Sequence, residues 1–153
     1  MSDTQNPGPS GVEDLTEEQL EFLASMFDLA RSGRTQELLE LVDKGVPANL
    51  TNDKGDTLLI LAAYNDHADL VEGLLQRGAE VDRINDRGQS ALGCAVFRQN
   101  QEITGTLLRA GADPHLGSQS AYAVAEMFGL DAMRQLLDAF NDGTGCRGVG
   151  NLT

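Results

Sequence analysis

The sequence predicts an all-α fold, a solenoid of four stacked helix pairs, and three observations carry that expectation. Gly45, Gly78 and Gly111 recur every 33 residues, each closing one of the similar segments 38–45, 71–78 and 104–111. Upstream, Asn52-Asp53-Lys54-Gly55-Asp56-Thr57 matches Asn85-Asp86-Arg87-Gly88-Gln89-Ser90 at the same spacing of 33. Leu70, Leu74 and Leu75 stand at the intervals that place apolar side chains on one face of a helix. A turn followed by two amphipathic segments, repeated at one fixed period, is the pattern of an array whose units bury their apolar faces against each other.

The elements follow in order. Residues 1–14 include Pro7, Gly8, Pro9 and Gly11 and are expected to be a disordered tail. Residues 15–140 form the array. Its first helix is expected over about 17–31, with Thr16 as the cap and Gln19 three residues on. Leu15 and Leu20 can staple that start, and Glu17 and Glu18 suit the positive end of the helix dipole. Thr57 and Ser90 can cap the inner units through a side-chain oxygen. Ala62, Ala63 and Ala95 are small enough for neighbouring helices to come close, and Gly45, Gly78 and Gly111 end the second helix of each unit. Ser120-Ala121-Tyr122-Ala123-Val124-Ala125 aligns with residues 90–95 at an offset of 30, so the last unit has a shorter turn, with material lost over 116–119. Asp138 then stands where Leu75 and Leu108 stand in the inner units, as fits an end face with no further neighbour. The count is two full repeats between two caps. Residues 141–153, with Gly143, Gly145, Gly148 and Gly150, are expected to be a flexible tail.

Gly55, Thr57, Leu59, Ala62, Ala63, His67, Val71, Leu74, Leu75, Gly78, Ala79, Val81 and Asp82 match or nearly match the pattern D-x-x-G-x-T-P-L-H-x-A-A-x-x-G-H-x-x-V-V-x-L-L-L-x-x-G-A-D-V-N. Gly88, Ser90, Leu92, Ala95, Ile103, Leu107, Leu108, Gly111, Ala112 and Asp113 do so in the next unit. Over 15–140 the chain thus resembles the ankyrin-repeat family, specifically so because many positions agree in several copies. It departs at the T-P-L-H box, which reads Thr57-Leu58-Leu59-Ile60 and Ser90-Ala91-Leu92-Gly93. Losing the Pro and His removes a helix-start device and a buried hydrogen bond.

The resemblance implies β-hairpin fingers with Gly55 and Gly88 at their tips, and a concave surface of finger tips and first helices that binds another protein. Carried over residue by residue, that surface holds Asp53, Lys54 and Asp56 on one finger and Asp86, Arg87 and Gln89 on the next. The helices add Tyr64 and Asn65, Phe97 and Arg98, and Met127 and Phe128, with Arg31 and Ser32 from the first unit. Tyr64 and Phe97 are 33 apart and Met127 follows after 30, so these three are expected to form a recognition row across neighbouring units. The competing reading is that they fill space between helices.

Composition excludes several other functions. The longest apolar run, residues 58–64, is far short of the roughly 20 residues that cross a bilayer. The start of the chain has neither the basic residues nor the apolar stretch of a secretory signal, which points to the cytoplasm and gives the sequons at Asn49 and Asn151 no weight. A formal net charge of -13 is the reverse of a nucleic-acid footprint and disfavours anionic membranes. It serves solubility, or steers a basic partner. Cys94 sits in an apolar helical stretch and reads as buried, whereas Cys146 lies in the glycine-rich tail and is expected to be exposed. No Cys/His cluster suggests zinc and no EF-hand loop suggests calcium, so neither a metal nor another cofactor is expected. His67 fills the family's Gly-His position and reads as structural; His115, after Asp113-Pro114, reads as solvated. No phosphate-binding loop, dinucleotide fingerprint, nucleophile elbow or zinc-protease motif is present, and no enzyme is expected. The expected function is that of a monomeric interaction module, an adaptor, inhibitor or chaperone-like binder. The alternative, which the resemblance to small bacterial ankyrin proteins implies, is an accessory factor for a cytoplasmic enzyme such as a stress-response enzyme.

Overall fold

The Thr16 hydroxyl accepts the Gln19 amide at 3.1 Å while the Gln19 side chain accepts the Thr16 amide at 2.9 Å, the reciprocal box expected at the start of the first helix. In the computed structural model, which describes residues 16–141, that helix is α1, Glu17–Ser32, and Gly33 closes it with φ 73°. Leu20 is exposed and Leu15 lies outside the described residues, as do Cys146 and the expected tails except for Asn141, which ends the last helix. Seven more helices follow: α2 Thr35–Asp43, α3 Leu58–Tyr64, α4 Ala68–Gln76, α5 Ala91–Phe97, α6 Gln101–Arg109, α7 Ala121–Met127 and α8 Asp131–Asn141. Each odd-numbered helix packs against the even-numbered helix after it. Helices α1, α3, α5 and α7 also pack in succession as one layer, and α2, α4, α6 and α8 as the other.

The short inner helices are built by one device used three times. Thr57, Ser90 and Ser120 each accept the backbone amide three residues on, at 3.0, 3.0 and 3.2 Å. The caps therefore hold although the Pro and His of the family box are missing. Ile60 replaces one His and is buried. Gly93 replaces the other for a steric reason: a Cβ there would stand 2.6 Å from the Gln119 carbonyl oxygen, so only glycine admits the chain entering the last unit. Ala30, Ala62, Ala63, Ala95 and Ala125 are buried along the inner layer, where they let successive helices approach. Leu38, Leu70, Leu74, Ile103, Leu107, Met133 and Leu137 fill the space between the two layers.

The fingers differ from the expectation. The hairpins at Gly55 and Gly88 are tight turns closed by one antiparallel bridge each, Thr51 with Thr57 and Ile84 with Ser90, and no strand forms among the described residues. Side chains add to the backbone bonds of these turns. Asn52 Oδ1 accepts the amides of Lys54 and Asp56, and Asn85 Oδ1 accepts those of Arg87 and Gln89. Successive turns are stitched together by the Asp86 amide donating to the Lys54 carbonyl and the Gln119 amide donating to the Gly88 carbonyl, both at 3.0 Å. At the far end, Asp138 is half-buried and accepts the Tyr122 hydroxyl at 2.8 Å, so the charge at that face position has a partner within its own unit.

Candidate functional site

Helices α3 and α5 are buried along most of their length and end on open aromatic residues, while α7 ends on an open methionine followed by an open phenylalanine. Tyr64, Phe97 and Met127 are the last residues of α3, α5 and α7, with Phe128 capping α7. Their exposures, 43%, 42%, 65% and 53%, leave them open at the ends of these three helices. The Tyr64 and Phe97 rings stack with centroids 6.2 Å apart and planes 5° off parallel. The third ring of the row belongs to Phe128, which meets Phe97 edge-on at 5.4 Å. Met127, expected in that place from the 30-residue offset, is the most exposed of the four. Arg98 reaches the preceding unit, with its guanidinium 5.8 Å from the Tyr64 ring centre.

Arg98 also joins two units. It holds Asp66 through Nη2 at 2.8 Å and Nε at 3.2 Å, while Asn100 donates to the other oxygen at 3.2 Å. Partial burial acts to raise the Asp66 pKa, but these hydrogen bonds and the Arg98 charge outweigh it and hold the carboxyl below its ordinary value. Asp66 and Gln99 occupy the family's glycine position in the two inner units with φ of 65° and 57°, a left-handed conformation that few residues other than glycine adopt. Asn65 is half-buried and ties its amide to the Leu61 carbonyl at 2.8 Å.

On the turns, Asp53, Lys54, Asp86 and Arg87 are exposed as expected. Asp56 is not. It is buried, and its carboxylate accepts the Asn85 side-chain amide at 2.7 Å, which makes it a joint between turns. Gln89 is half-buried and accepts the same Asn85 amide at 2.8 Å. Asn85, which sequence reasoning used only as an alignment mark, is thus the hub of both turns. Its recurrence from Asn52 just ahead of the Asp-x-Gly turn is the signal that could have found it. Replacing Asn85 with Ala is expected to lower stability by about 2–3 kcal/mol, since it removes four hydrogen bonds and leaves a buried carboxylate short of a donor. Asn52→Ala, which frees two amides on a half-buried turn, is expected to cost about 1 kcal/mol. Urea unfolding of the two variants checks this, and equal losses would contradict the hub.

Rim and turns together enclose two adjoining clefts. The first, about 440 Å³, is lined by Arg31, Lys54, Asp56, Tyr64 and Arg87 among others. The second, about 230 Å³, lies between Tyr64, Phe97, Val124 and Phe128. Tyr64, Gln89 and Cys94 border both. Cys94 is buried as expected. Burial pushes its thiol up to about 12, with the Asp56 charge adding to that and Arg87 opposing it, so it is a poor nucleophile at neutral pH.

The histidines sit elsewhere. His67 Nε2 is 2.8 Å from the Arg31 carbonyl and its ring lies against Gly33, where a Cβ would come within 2.6 Å, so it pins the first loop. His115 is exposed, but its ring stacks on Tyr122 at 4.7 Å. Among the described residues no group of three His, Cys, Asp or Glu side chains could hold a metal ion, and no helix is long and apolar enough to cross a membrane.

Residues 26–118 match the family model for ankyrin repeats in three copies. The chain is also similar to a Pseudomonas aeruginosa protein described as an ankyrin repeat protein, with 48% identity over 68 residues. That match covers 44% of this chain and 37% of the relative, so the chain spans little more than a third of the relative's length. The 33-residue period, the paired helices in two layers and the match over most of the array agree: this chain belongs to the ankyrin-repeat family.

Proposed function

We propose that the chain is a protein-binding module that holds its partner in the concave groove formed by the turns and the ends of α3, α5 and α7. One observation carries this reading: the row of Tyr64, Phe97 and Phe128 stands open at the ends of α3, α5 and α7, of which α3 and α5 are otherwise buried throughout and α7 is buried at Ala121, Val124 and Ala125. Rings that served only to fill space between helices would be covered by them. Stacked, partly immobilised aromatics lose little side-chain entropy on binding, and aromatic anchors dominate protein interfaces. Ankyrin repeats generally mediate protein–protein interaction, which supports the same reading. Adaptor, inhibitor and chaperone-like binder remain forms of this one activity, and a partner that is itself an enzyme would make the chain its accessory factor.

The test is a hydrogen-exchange footprint on the complex with the protein captured stoichiometrically from extract of the source cells. Slowed exchange is expected in the turns at 52–56 and 85–89 and at the C-terminal ends of α3, α5 and α7. Protection confined to α4 and α6, around Glu72 and Arg109, would contradict the groove.

A further inference from the structure

The groove is not uniform in charge. The chain as a whole is strongly acidic, with 24 Asp and Glu against 11 Lys and Arg. The first cleft reverses that balance: Arg31, Lys54 and Arg87 line it, against the single carboxylate of Asp56, which keeps its charge while accepting the neutral Asn85 amide. Arg31 is paired with Asp28 at 2.8 Å. Arg34, Arg77, Arg83, Arg98 and Arg134 also sit in ion pairs. Lys54 and Arg87 have no such partner among the described residues, and both are exposed. Asp53 and Asp86 share their turns without lining either cleft. At physiological salt, charges farther off than about 8 Å are largely screened, so a group inside the cleft responds to Lys54, Arg87 and the carboxylates beside them more than to the net charge of the protein.

Resting on the groove reading above, we infer that the groove takes an extended segment of a partner protein that carries an acidic side chain and a large apolar or aromatic side chain. The acidic group meets Lys54 and Arg87 in the first cleft. The apolar group enters the second, against the Phe97 and Phe128 rings. The spacing follows from the fold. The clefts adjoin along the inner layer and share Tyr64, so their centres lie about one helix spacing apart, roughly 8–10 Å. An extended chain covers that distance in about three residues at ~3.3 Å each. Charge complementarity on one side and an unpartnered ring row on the other thus define a two-point motif, with a polar stretch between them facing Gln89.

Selection from a displayed library of random linear peptides of about seven residues, a length that spans both clefts when extended, tests this on the full chain. The expected result is enrichment of Asp or Glu about three positions from Phe, Tyr, Trp or Leu. The best such peptide is expected to weaken about tenfold on the double reversal Lys54→Glu, Arg87→Glu, because two attractions become repulsions. It is expected to weaken also on Phe97→Ala, and to be unaffected by Arg109→Glu, which changes net charge on α6, away from the groove. Both Lys54 and Arg87 are exposed, so the melting temperature of the double variant should match the parent. Enrichment of Lys or Arg beside an aromatic, still lost on Phe97→Ala, would overturn the acidic motif and leave the groove standing. Absence of any peptide that distinguishes the parent from Phe97→Ala would overturn both.

Discussion

Truncation before α8, removing Asp131–Asn141, is expected to replace the cooperative melt of the array with a broad, low-temperature loss of helix. This helix supplies Met133, Leu137 and Phe140 to the core, all buried, and packs on both α6 and α7. Burying such side chains contributes about 1.5–3 kcal/mol each, so their joint loss, about 5–9 kcal/mol, is comparable with the whole stability of an ordinary domain. The truncation also removes the Asp138 acceptor of the Tyr122 hydroxyl. In a repeat array each unit is stabilised mainly through its neighbours, so exposing the apolar side of α7 weakens α5 in turn. A milder variant separates folding failure from a capping role: Leu137→Ala, at a fully buried site, is expected to cost about 3 kcal/mol and keep a sharp transition. Circular dichroism melts measure both, and a truncated chain with a sharp transition near the parent temperature would show that α8 is not a cap.

The period and the helix starts were legible because they rest on local chemistry. Thr16, Thr57, Ser90 and Ser120 cap through amides three residues away, and such contacts are written in neighbouring residues. The glycine spacing set the register of the units for the same reason, and Gly45, Gly78 and Gly111 share a left-handed backbone conformation at the ends of their units. What stayed illegible depends on contacts between units. Asp56 reads as an exposed turn carboxylate until Asn85, 29 residues on, is placed over it. The 30-residue offset puts Met127 at the backbone position equivalent to Phe97, but side-chain direction makes Phe128 the ring that touches Phe97. Gly93 looks like a defect in the family box until the Gln119 carbonyl is placed against it. The hairpin fingers are shorter than the family pattern implies, one antiparallel bridge each, with asparagine side chains adding to the backbone bonds of the turn.

The most direct test of the groove as a binding surface is to measure melting temperature and partner affinity on the same variants, Tyr64→Ala and Phe97→Ala, with Glu72→Ala on α4 as control. Both rings are more than two-fifths exposed in the free chain, so truncation is expected to cost stability about half a kcal/mol from lost surface contacts, rising to about 1 kcal/mol for Phe97, which touches two rings. An interface aromatic that becomes buried against a partner typically costs binding about 2 kcal/mol or more, roughly a thirtyfold loss of affinity. Near-parental melting is expected with affinity reduced by at least that factor for both aromatic variants, and no change in either quantity for Glu72→Ala. Parental affinity in both aromatic variants, or affinity that falls only in step with the folded fraction, would contradict the groove as a binding surface.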